Sequence, residues 1–205
     1  MDKNLDFYLT AILALLIVVV GGFVAMNLQF SDYKYATSRP GADFVSNVDE
    51  PPVLLDSIRG STHFIVSPQF VQNGAQNSYM ASSLTLFNTV LSAKRKNIVV
   101  IGRVVDEKGA ILECQSNFGD FKTNEAISKE LCEQMLADAT SVRAFVDLPS
   151  SSLSSNRIIL EKNLVRVEPS SFDGVAVASY TLLEALYPDT PAIIESVNNL
   201  VNSAK

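Results

Sequence analysis

The chain is 205 residues long, 47% apolar and 19% charged, with a formal net charge of -6. That length suits one domain with appendages, and the apolar fraction is enough for a packed core. The acidic balance argues against nucleic acid as a partner and against peripheral docking on anionic lipid, because both depend on Lys and Arg facing phosphate.

No charged residue falls between Asp6 and Asp32. Within that stretch the apolar run Phe7–Met26 reads as a transmembrane helix. About 20 residues at a rise of ~1.5 Å cross the ~30 Å hydrocarbon core. A helix is also the single-segment way to satisfy a backbone in lipid. A cleaved signal peptide fits worse. The leading tail carries Asp2, Lys3 and Asp6, the run is longer than a signal h-region, and no A-x-A-like site follows. Gly21-Gly22 inside the span is not a small-xxx-small pair. The organisation is a tail at 1–6, a transmembrane helix (a signal-anchor) at 7–29, a linker at 30–52 and a soluble domain at 53–205. The partner this implies is the lipid bilayer.

The linker reading rests on Arg39-Pro40-Gly41, Asp49-Glu50 and the stiff Pro51-Pro52 pair. Val53–Ile58 and Thr62–Val66 then read as short strands, followed by a polar loop from Ser67 to Asn77. Met80, Leu84, Phe87 and Leu91 recur at helical spacing and predict a helix over Ser78–Lys94. Lys94-Arg95-Lys96 stands where that helix ends, and cations there complement the helix dipole. Ile98–Val105 is β-branched and apolar, the pattern of a central strand, with a partner strand at Ala110–Gln115. A helix over Glu125–Ala139 puts Ile127, Leu131 and Met135 on one face. Val142–Leu148 is a strand, Ser150–Ser155 a loop, and Arg157–Glu161 with Leu164–Glu168 a hairpin. Two C-terminal helices follow, the second capped by Thr190 with Pro191 at its first position. The fold class is therefore α/β (α+β), a mixed sheet covered by helices.

Chemistry is sparse. His63 is the single histidine, and no G-x-S-x-G elbow surrounds a serine. No phosphate-loop or dinucleotide fingerprint occurs, so no cofactor is implied. Asn73–Ser78 opens a helix with polar, uncharged residues, which suits a helix cap better than an anion site. Asp106 and Asp147 end apolar strands and Asp120 stands in a loop. They are the weak candidates for an oxygen-ligand metal site beyond the carboxyl ends of strands; solvation of a strand end is the plainer role.

Cys114 and Cys132 are the two cysteines. A strand–loop–helix excursion separates them and could return to close a disulfide worth about 3 kcal/mol; two separately buried thiols are the other reading. A bonded pair suits an oxidising compartment. It places the domain on the extracytoplasmic side of a cell membrane. The charge rule leans the other way by one residue, with Lys3 before the helix and Lys34 and Arg39 after it.

The functional expectation is a single-pass membrane protein whose domain is an interaction or binding module, a subunit of a membrane complex with membrane or extracytoplasmic partners. The alternative is a membrane-tethered hydrolase or metal-dependent enzyme using Asp106, Asp120 and Asp147.

Overall fold

In the computed structural model, the structure describes residues 33–35, 41–46, 51–71, 74, 76–106, 109–117 and 125–203. The segment expected to be a transmembrane helix, 7–29, and Asp120 lie outside the described residues. No described helix is long and apolar enough to cross a membrane.

The strands are β1 (Tyr33–Tyr35), β2 (Asp43–Ser46), β3 (His63–Val71), β4 (Asn97–Val105), β5 (Ile111–Asn117), β6 (Glu125–Ile127), β7 (Val142–Val146), β8 (Arg157–Glu161) and β9 (Leu164–Glu168). The helices are α1 (Pro51–Gly60), α2 (Asn77–Ala93), α3 (Lys129–Leu136), α4 (Phe172–Leu186) and α5 (Thr190–Ser203). The eight strands β2 to β9 make one mixed sheet in the order β2-β8-β9-β7-β3-β4-β5-β6, with β1 at its edge beside β2. The four central strands β9, β7, β3 and β4 run parallel. Antiparallel pairings of β8 with β9 and of β4 with β5 turn the chain back at either side.

Side-chain alternation divides the sheet into two unlike faces. Phe64, Val66, Val142, Ala144, Val146, Ile158, Leu160, Val165 and Val167 point to one side. There they form the main core with Leu55 and Ile58 of α1, Phe87 and Leu91 of α2, and Leu182 and Leu183 of α4. Two buried hydroxyls, Ser83 and Ser179, hydrogen-bond at 2.6 Å where α2 meets α4. The other face carries a smaller cluster of Ile65, Ile101, Cys114 and Cys132, with Met135 and Leu136 of α3 packed against it.

Several sequence expectations need correction. Residues 43–46 are not linker: β2 pairs in parallel with β8, and Phe44 and Val45 are buried. Val53–Ile58 is helical, not extended. Pro51 supplies the fixed φ that suits a first helical turn, and Leu55 and Ile58 fall one turn apart on the buried face. The helix expected over Glu125–Ala139 begins instead with a short strand. The Ser128 hydroxyl accepts a hydrogen bond from the Leu131 N–H, and the shorter helix α3 starts there. The loop expected from Ser67 is strand as far as Val71, with Pro68 inside it. The β3–β4 pairing register skips Ser67 and Pro68, and the Ser67 hydroxyl donates to the Ile101 carbonyl at 2.8 Å. A side chain thus fills the place that a ladder N–H would take, which is how a proline is tolerated in a central strand.

Two of the cations after α2, Lys94 and Lys96, and Arg59 at the end of α1 are spent on packing. Lys96 donates to the carbonyls of Arg59 and Ser61, Arg59 donates to the Leu186 carbonyl, and Lys94 pairs with Asp189. Thr190, expected as an N-cap acceptor, instead donates its hydroxyl to the carbonyls of Leu183 and Tyr187.

Candidate functional site

The parallel register brings the carboxyl ends of β4, β7 and β9 to one edge of the sheet, where open α/β sheets commonly hold ligands. There Asp147, just past β7, stands between two guanidiniums. Its Oδ1 accepts from Arg103 Nη2 at 3.0 Å, and its Oδ2 lies 3.5 Å from Arg166 Nε. Arg103 belongs to β4, two strands from β7. Its reach depends on the intervening residue being Ser67, which is small and whose carbonyl accepts from the same Nη2 at 2.8 Å. The ring of Phe145 lies beneath both cations, 4.7 Å from the Arg103 guanidinium and 5.8 Å from that of Arg166. Burial lowers the Arg103 pKa from its ordinary value, and Asp147 opposes that shift.

A cleft of about 300 Å³ opens beside this cluster. Asp147, Leu148, Ser150, Ser152 and Leu153 form one wall, and Arg157 and Glu168 of the hairpin form the other. Arg157 donates to Glu168 Oε2 from Nε at 2.9 Å and from Nη2 at 2.6 Å. The serine-rich loop is pinned rather than free. The Leu148 N–H donates to Gln69 Oε1, the Ser150 N–H to the Pro169 carbonyl, and the Ser155 hydroxyl to Asp43.

Of the acids singled out in sequence, Asp147 is at this site and Asp106 is not. Asp106 closes the turn after β4, its Oδ1 accepting from the Ala110 N–H at 2.8 Å. Strand β3 lies between the strands that carry the two acids. Among the described residues, no three His, Cys, Asp or Glu side chains are grouped to hold a metal ion. His63 is exposed at the start of β3 and lines a separate hollow of about 250 Å³ with Asn97, Met135 and Asp138. Hydrogen bonds from Thr140, with a further one from Ser141, hold the Asp138 pKa below the usual carboxylate value. Among the described residues of the loop before α2, the N-cap Gln76 makes no side-chain cap hydrogen bond. Asn77 turns back to the end of β3, its Oδ1 accepting from the Val71 N–H and its Nδ2 donating to the Val71 carbonyl.

Cys114 and Cys132 form a disulfide across the second face, with Cα atoms 6.2 Å apart. The bond lies over Ile65 and Ile101 and ties α3 to β5. Arg143 adds a second tie, donating to the Leu136 carbonyl at 3.1 Å.

The residues that sequence reasoning missed are Arg103, Arg157 and Arg166. One signal was available for Arg103: it is the single charge within the apolar run of β4, and a buried guanidinium needs a partner.

Comparison with known proteins gave no matching family model, no matching curated protein and no matching solved structure.

Proposed function

We propose that this chain is a binding module, tethered to a cell membrane by residues 7–29 and carried on the extracytoplasmic side as part of a membrane complex. The observation that carries the binding reading is the pairing at the carboxyl edge of the sheet. Asp147 is engaged by two arginines and Glu168 by a third. A general base or metal ligand needs an uncommitted carboxylate with a raised or accessible lone pair. A recognition surface needs fixed, oriented charges, and mutual ion pairs provide them. The tether rests on the uncharged run of the N-terminal segment, and the outward orientation on the paired cysteines.

The test is affinity purification of the full chain from detergent-solubilised membranes, beside a version ending at residue 40. A partner recovered in stoichiometric amount with the full chain and lost with the short one supports the reading. Recovery of nothing above background, together with divalent-cation binding or ester hydrolysis by the purified chain, contradicts it in favour of the tethered enzyme.

A further inference from the structure

We propose that the arginine cluster beside the cleft is a binding site for an oxyanion, the carboxylate or phosphate group of a small ligand. The inference deepens the binding-module reading and rests on it. Three guanidiniums, from Arg103, Arg157 and Arg166, face two carboxylates, from Asp147 and Glu168, so one positive charge is in excess. The pairing is uneven in a way that leaves donors over. Arg103 is 7% exposed, yet its Nε has no hydrogen-bond partner among the described residues. Leaving a buried donor unmade costs about 1–3 kcal/mol, and such groups persist mainly where a ligand, ion or water completes them. Arg166, at 40% side-chain exposure, approaches Asp147 nearest through Nε at 3.5 Å, and no hydrogen bond from it to a described group is formed. Its two terminal nitrogens therefore remain as a fork, the geometry that matches a carboxylate or phosphate.

Register puts a second cation in reach. Ile159 is the direct partner of Arg166 across the β8–β9 hairpin, so Arg157 is its diagonal neighbour on the same face. Diagonal pairs in an antiparallel ladder are about 7–8 Å apart, close enough for two long side chains to grip one oxyanion. Asp147 holds Arg166 and Arg103 together over the ring of Phe145 and so fixes their spacing. The hydroxyls of Ser150 and Ser152, hydrogen-bonded to each other at 2.8 Å, leave one further O–H donor on the cleft wall. The irregularity at Ser67-Pro68 belongs to the same device. It frees the Ser67 carbonyl from the β3–β4 ladder so that Arg103 can lie across it.

The experiment is a thermal-shift titration of the purified full chain in detergent with sodium phosphate, sodium acetate and sodium chloride at matched ionic strength. A saturable rise in melting temperature with phosphate or acetate, and none with chloride, is the expected result. The stronger of the two identifies a phosphate or a carboxylate as the natural group. Arg166→Gln should weaken the response at least tenfold. Arg166→Lys, which keeps the charge and loses the fork, should fall between the two. Arg95→Gln, remote from the cleft, should match the unmodified chain. No saturable response beyond chloride, or an unchanged response in a folded Arg166→Gln chain, overturns the oxyanion site. Either outcome leaves the co-purification result standing on its own.

Discussion

At the scale of single residues, the balance at Asp147 decides how the carboxyl edge holds together. Replacing Asp147 with Asn removes the charge that compensates a buried guanidinium. A buried pair broken on one side costs about 3–5 kcal/mol, and Asp147 retains 19% side-chain exposure, so the lower end applies. Urea unfolding should show Asp147→Asn destabilised by about 3 kcal/mol; a loss below about 0.5 kcal/mol would mean that Arg103 finds another partner. Tyr187 gives a second test. Its hydroxyl is buried with no hydrogen-bond partner among the described residues, and burial raises its pKa to about 12. A phenol whose folded pKa lies above its unfolded value of about 10 binds its proton more tightly when folded. Its contribution to stability is whole below pH 10 and is lost as pH rises toward 12. Tyr187→Phe should be neutral to slightly stabilising at pH 7, since it removes an unmade donor. It should also flatten the fall of melting temperature with pH above 10; an identical fall in both proteins would rule out Tyr187 as its source. Asp147 was legible in the sequence because an acid after an apolar strand is a recognisable pattern. Its partner was not, because Arg103 stands 44 positions away and meets it only through the sheet order.

At the scale of elements, the least secure piece is α3. Its one buried residue is Cys132, and the cluster beneath it contains the disulfide itself. An eight-residue helix does not hold in water on its own propensity. The Cys114→Ser, Cys132→Ser protein should therefore lose about 3 kcal/mol by the chain-entropy argument. By hydrogen exchange its amides over Lys129–Leu136 should lose their protection while those of β7 and β9 remain slow. Retained protection in α3 would show that packing, and not the bond, holds it. The sequence pattern pointed to Leu131 as the inward face, yet Leu131 is 43% exposed and Cys132 is buried. The helix begins at Lys129, four residues later than the apolar spacing suggested, so Ile127 belongs to β6 and does not set the helix face. Simple alternation also fails within β5, at Leu112. The pairing skips it between Ile111 and Glu113, so it stands off the face that Cys114 occupies and is 53% exposed. Alternation through a bulge is not readable from one strand alone. The long elements, α2, β4, the β8–β9 hairpin and α4, were legible because their apolar repeats run unbroken.

At the scale of the whole molecule, the folded domain starts earlier than proline punctuation suggests. Phe44 is 1% exposed and β2 adds a parallel partner to β8. Removing residues 1–32 should leave a cooperative unfolding transition. Removing residues 1–50 should abolish it or lower stability by at least about 3 kcal/mol, the scale of deleting a buried Phe. Equal stability of the two truncations would show β2 to be dispensable. The central claim joins this domain to a compartment: a membrane-tethered module that faces outward with its cysteines bonded. Thiol labelling of intact cells tests it most directly, with a membrane-impermeant reductant and a membrane-impermeant maleimide, followed by denaturation. The account predicts no labelling without the reductant, even after denaturation, and labelling of both Cys114 and Cys132 when the impermeant reductant is applied to sealed cells. Free labelling of denatured, unreduced protein, or protection from the reductant until the membrane is broken, would contradict it.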